Sequence, residues 1–106
     1  MKDGLIKAAV GTPEIRVADC DYNAASVSAV ARRAAGEGVR ILALPELCLT
    51  GYTCGDLFLQ DTLIEGACAA LETVRRETEE LDMLLTVGLP VMWQGKLYNC
   101  AAVLCR

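Results

Sequence analysis

Most residues of this chain that could do chemistry lie between Leu42 and Asp61, in LALPELCLTGYTCGDLFLQD. Glu46 ends an apolar run, Cys48 follows two residues later, and Tyr52, Cys54, Asp56 and Phe58 fill the remainder. A carboxylate at the mouth of a buried strand has two readings. It is a solvated strand end, or it is a general base with low-dielectric surroundings on one side. A Glu–Cys base–nucleophile pair is the first arrangement to weigh. If the segment stays extended, Glu46 and Cys48 stand side by side about 6–7 Å apart. Direct proton transfer needs heavy atoms about 2.6–3.2 Å apart. Cys48 is therefore expected to be a small packing residue. Cys54, in a loop beside Gly55, is a weaker nucleophile candidate still.

The chain has no histidine, so a Ser-His-Asp triad, a Cys-His dyad and H-E-x-x-H zinc chemistry are excluded within its 106 residues. Its six cysteines, at 20, 48, 54, 68, 100 and 105, form no C-x-x-C pair. No secretory leader is recognisable at the N-terminus, so free thiols in a reducing, cytoplasmic setting are expected, with no metal site. Cys100 and Cys105 point to opposite faces of an extended segment and cannot share a metal. A net charge of −4 without a basic stripe argues against a nucleic-acid partner. No apolar run is long enough to span a membrane.

The elements that must position Glu46 read as α/β. Leu5–Gly11 is a short apolar run, followed by a helical stripe of Val27, Val30, Ala31 and Ala34 over Ala24–Ala35. Asn23 is the expected N-cap and Gly36 and Gly38 the stop. A strand at Val39–Leu44 completes a βαβ unit, whose two strands should be parallel neighbours. Glu46 then falls outside the carboxyl end of a strand, where ligands gather in open parallel sheets. A second helix is expected over Thr62–Glu80, a third strand over Met83–Gly88, a turn at Trp93–Lys96 and a fourth strand over Leu97–Cys105. The fourth strand is apolar on both faces and is expected to be covered on both. With 54% apolar residues, 1–106 reads as one globular unit with apolar surface to spare for something outside it.

The order of these elements, with L-P-E-L-x-L-T-G-Y after the second strand and L-Y-N-x-A-A-V in the fourth, resembles the nitrilase, or carbon–nitrogen hydrolase, superfamily. PELCLTGYTCGDLFLQDTLI and GLPVMWQGKLYNCAAVL resemble, within it, the N-terminal glutaminase domain of glutamine-dependent NAD+ synthetases. The resemblance implies the first part of an αββα sandwich and a Glu–Lys–Cys triad acting on L-glutamine. Glu46 matches the triad's general base, and Tyr52 matches a tyrosine close to the glutamine pocket. Lys96 precedes the fourth strand and does not match the triad Lys. That Lys and the Cys nucleophile are expected beyond Arg106, as is a synthetase domain using ATP and Mg2+. Homo-oligomers are implied for the complete enzyme, and 1–106 alone is expected to be inactive. Asp56 is expected to cap a turn, Phe58 to anchor the loop, and Asn99 of the Tyr98-Asn99 pair to satisfy buried backbone groups. Two alternatives stand beside this: another amidase or carbamoylase of the superfamily, and an inactive α/β module that folds by pairing with another chain.

Overall fold

A computed structural model describes residues 4–105. Its elements are β1 (Ala8–Val10), α1 (Cys20–Gly36), β2 (Ile41–Ala43), a short 3-10 helix (Gly55–Leu59), α2 (Asp61–Thr78), β3 (Leu84–Trp93) and β4 (Lys96–Cys105). The four strands form one sheet in the order β1-β2-β3-β4. β1 and β2 are parallel, with Ala8 opposite Ile41, and β2 and β3 are parallel, with Ile41 opposite Leu84. β4 returns antiparallel to β3 across its whole length, from Trp93–Lys96 to Leu84–Cys105.

Strand order follows chain order, so both parallel crossovers step the same way. Right-handed crossovers stepping one way deliver their helices to the same face. That face forms the core. Leu42, Leu85, Val87 and Leu89 of the sheet pack with Val27 and Ala31 of α1 and Ala67, Ala70 and Val74 of α2. The alanines let the two helices approach closely.

No helix among the described residues packs on the opposite face, and much of it is exposed. Val10 is 79% exposed, Val103 59% and Ile41 40%. This corrects the expectation that β4 is covered on both sides: Cys100, Ala102 and Leu104 are half-buried, whereas Ala101, Val103 and Cys105 are exposed. Composition shows that both faces are apolar; topology decides which one the helices reach.

Two element boundaries differ from the sequence reading for definable reasons. α1 begins at Cys20, capped by Asp19, whose carboxylate accepts the Tyr22 N–H at 3.1 Å. Asn23 therefore lies inside the helix. β3 does not stop at Gly88 but continues through Pro90 to Trp93. β2 accompanies it only as far as Thr86, so Pro90 sits where one side of the strand is free, a place that tolerates proline. Gln94 and Gly95 then reverse the chain with φ of 49° and 75°, the paired positive φ of a two-residue hairpin turn.

One-sided packing makes a direct prediction. Leu85→Ala should cost about 2–5 kcal/mol in urea unfolding of the chain, while Val103→Ala should stay within about 0.5 kcal/mol. Equal losses at both positions would show that the second face is packed as well.

Candidate active site

The site is built by the loop that leaves β2. Gly88 shares its sheet face with Thr86 and Pro90, opposite Val87 and Leu89, which point into the core. A Cβ on Gly88 would stand 2.5 Å from Leu47 N, 2.8 Å from Pro45 O and 3.0 Å from the Glu46 carbonyl carbon. Backbone therefore lies on backbone, and Pro45–Leu47 crosses the uncovered face of the sheet. The loop turns sharply at Leu47, whose φ of 54° is in the left-handed region. That conformation costs about 1–3 kcal/mol for a non-glycine residue. It is held by Thr50 N–H and Gly51 N–H, which donate to Leu47 O at 3.2 and 2.8 Å. Leu49 N–H donates to Gly88 O at 3.2 Å and fastens the loop to β3.

A second fastening comes from α1. The Asn23 side chain is fully buried. Its Oδ1 accepts the Arg16 N–H at 2.8 Å, and its Nδ2 donates to Arg16 O at 2.8 Å and Leu49 O at 3.0 Å. Ala18 N–H donates to Thr50 O at 2.7 Å alongside it. The expected N-cap is thus a buried amide that joins helix, preceding loop and Glu46 loop. An Asn before an apolar stripe resembles a cap, and only its burial distinguishes the two roles.

Glu46 emerges from this loop exposed to solvent, and its Oε1 accepts a hydrogen bond from Asn99 Nδ2. Asn99 lies on β4 opposite Pro90, one alternation beyond the Gly88–Ala101 pair on the same face. The expectation that Asn99 serves buried backbone is corrected: its amide reaches a carboxylate 53 residues away in sequence. The available signal was its position on the sheet face opposite Cys100 and Ala102, readable only once the hairpin register is known. Beside the pair lies a hollow of about 240 Å³ lined by Leu47, Phe58, Pro90, Leu97, Tyr98 and Asn99. Phe58 both lines this hollow and packs against the core. Tyr52 is 67% exposed and is not among the hollow's lining residues.

The neighbouring thiols are poorly suited to attack. Cys48 is buried with its Sγ 3.7 Å from Gly88 O, and burial pushes its thiol up, only partly opposed by backbone hydrogen bonds. Cys54 is buried and donates to Thr50 O at 3.2 Å. No side-chain hydrogen bond caps the 3-10 helix or the α2 helix that follows it, so the capping expected of Asp56 is not formed. Among the described residues there is no group of three or more His, Cys, Asp or Glu side chains that could hold a metal ion. No helix is long and apolar enough to cross a membrane.

A family model for carbon–nitrogen hydrolases matches residues 7–106. The chain belongs to the carbon–nitrogen hydrolase family. Among curated members, it is 35% identical over 103 residues to the glutamine-dependent NAD(+) synthetase of Mycobacterium tuberculosis, covering 97% of this chain and 15% of that protein. It is 37% identical over 70 residues to the synthetase of Aquifex aeolicus, covering 66% of this chain and 12% of that protein. The structure superposes on the glutamine-dependent NAD(+) synthetase of Cytophaga hutchinsonii with a TM-score of 0.82 at 32% identity, covering 94% of this chain and 17% of the other. A carbon–nitrogen hydrolase fold is also shared with an amidase from Nesterenkonia, at a TM-score of 0.74 and 21% identity, covering 92% of this chain and 37% of the other. The four-stranded sheet with two helices is thus the start of a nitrilase-type fold. The chain spans about 15% of the length of the Mycobacterium relative.

Thiol burial predicts an order of reactivity. At pH 8, iodoacetamide should modify the exposed Cys68 and Cys105 at least about tenfold faster than Cys48, followed by peptide mass spectrometry. Cys48 labelling as fast as Cys68 would show that its pocket is open.

Proposed function

We propose that residues 1–106 form the N-terminal part of a glutaminase domain and supply the general base of a glutamine amidohydrolase. The reading rests on one observation: a loop laid on Gly88 carries Glu46 to the open sheet face, where Asn99 holds one of its carboxylate oxygens. An acceptor presented beside a hollow, beyond the carboxyl end of a parallel strand, is suited to take a proton from an incoming nucleophile.

In the proposed reaction Glu46 accepts the proton of a cysteine thiol from the chain that follows Arg106. The thiolate attacks the glutamine amide carbon, and a lysine from the same later segment, with a backbone N–H, stabilises the tetrahedral oxyanion. The nitrogen leaves as ammonia when the C–N bond breaks and the proton held by Glu46 returns to it. Water then hydrolyses the glutamyl thioester. Tyr52, with its ring largely free, is assigned to glutamine contact. The ammonia would serve the ATP-dependent conversion of deamido-NAD+ to NAD+, in a cytoplasmic homo-oligomer. The similarity to glutamine-dependent NAD(+) synthetases supports this choice of substrate.

The test uses the whole protein with glutamine or ammonia as the nitrogen source. Glu46→Gln should lower glutamine-dependent NAD+ formation by about 10²–10⁴-fold. Ammonia-dependent formation should remain within about twofold of wild type. The chain of 106 residues alone should release no ammonia from glutamine. Wild-type glutamine turnover in Glu46→Gln would end the assignment of Glu46. Amide hydrolysis by the whole protein without any NAD+ synthesis would indicate a different amidase of the family.

A further inference from the structure

Asn99 is drawn into the site by geometry. It comes from β4 of the antiparallel hairpin, and Glu46 comes from the loop after β2, which lies across the neighbouring β3 at Gly88. Among the described residues Asn99 is the side chain that hydrogen-bonds to Glu46. A Glu side chain on an exposed loop has three rotatable bonds, and a productive base must present one oxygen in one direction. A donor fixed to a strand can impose that direction.

The chemistry of the donor matters as much as its place. A carboxamide N–H donates without surrendering its proton at any physiological pH. It therefore anchors Oε1 without offering a proton of its own, and no described side chain hydrogen-bonds Oε2, which is left to face the incoming proton. A lysine or a protonated carboxyl at position 99 would add a charge or a competing proton. Leucine would fill similar space without a donor, and aspartate would keep the shape and reverse the hydrogen-bond polarity.

We propose that Asn99 is a positioning residue for the base: it clamps Oε1 of Glu46 so that Oε2 faces the nucleophile and the adjacent hollow. The proposal rests on the reading of Glu46 as the general base and extends it to a residue on a different strand. Asn99 acts through Glu46, so its effect should vanish when the base is removed.

A double-mutant cycle in the whole protein tests this. Asn99→Leu and Asn99→Asp should each lower kcat for glutamine hydrolysis by about 10–100-fold, the range for one hydrogen bond to a charged group. KM for glutamine should change by less than about threefold, and ammonia-dependent NAD+ formation should persist. Combined with Glu46→Gln, either change should add less than about a twofold further loss. A purely structural role would instead subtract the same factor in both backgrounds, and that result would overturn the proposal. Wild-type kcat in both Asn99 variants would also overturn it, as would loss of the ammonia-dependent reaction in both, which marks general damage. If Glu46→Gln alone retains wild-type glutamine turnover, the base assignment fails and the clamp falls with it. An inactive Glu46→Gln with fully active Asn99 variants refutes the clamp alone.

Discussion

At Gly88 the backbone of a loop rests directly on the backbone of a strand. A Cβ at that position would stand 2.5 Å from Leu47 N and 2.8 Å from Pro45 O, distances that no relaxed side chain tolerates. The lack of a side chain lets the loop lie flat across the sheet instead of arching above it. That flat crossing keeps the Leu49–Gly88 hydrogen bond at 3.2 Å. It also carries Glu46 one strand further, to Asn99. The left-handed turn at Leu47 and the buried Asn23 amide serve the same end, one by turning the chain and the other by pinning Leu49 from the helix side. Remove the close contact and each of these must be rebuilt around a displaced loop.

The same topology decides where the site can be. Two crossovers stepping in one direction place both helices on one face, leaving Val10, Ile41 and Val103 exposed on the other. Glu46 and Asn99 sit on that uncovered side. An αββα sandwich, as the family resemblance implies, would lay its second sheet there and enclose the pair. That second sheet would give the exposed Val10, Ile41 and Val103 something to pack against. Enclosure would also remove water from around Glu46, which strengthens every electrostatic interaction at the pair.

Much of this was legible in the sequence because its signals are local. The stripe of α1, the short joins and the apolar run that stops before Pro45 gave the βαβ order and set Glu46 at a strand's carboxyl end. The remainder depends on contacts between distant segments. Asn23 precedes an apolar stripe and has the chemistry of a cap, but Asp19 starts the helix and burial gives Asn23 a different task. Asn99 could be paired with Glu46 only after the Gln94–Gly95 turn had fixed the register of the hairpin. Pro90 disguised the continuation of β3, since the freedom of one strand side follows from how short β2 is. The two faces of β4 have similar composition, and only the handedness of the crossovers separates them.

The most direct measurement is the glutamine-dependent turnover of the whole protein carrying Gly88→Ala. One methyl group would have to displace Pro45–Leu47, and misplacing a reacting group by about 1 Å can cost about 100-fold in rate. A loss of that order with ammonia-dependent synthesis intact is the predicted result. Wild-type glutamine turnover in Gly88→Ala would contradict the dependence of Glu46 on this backbone contact.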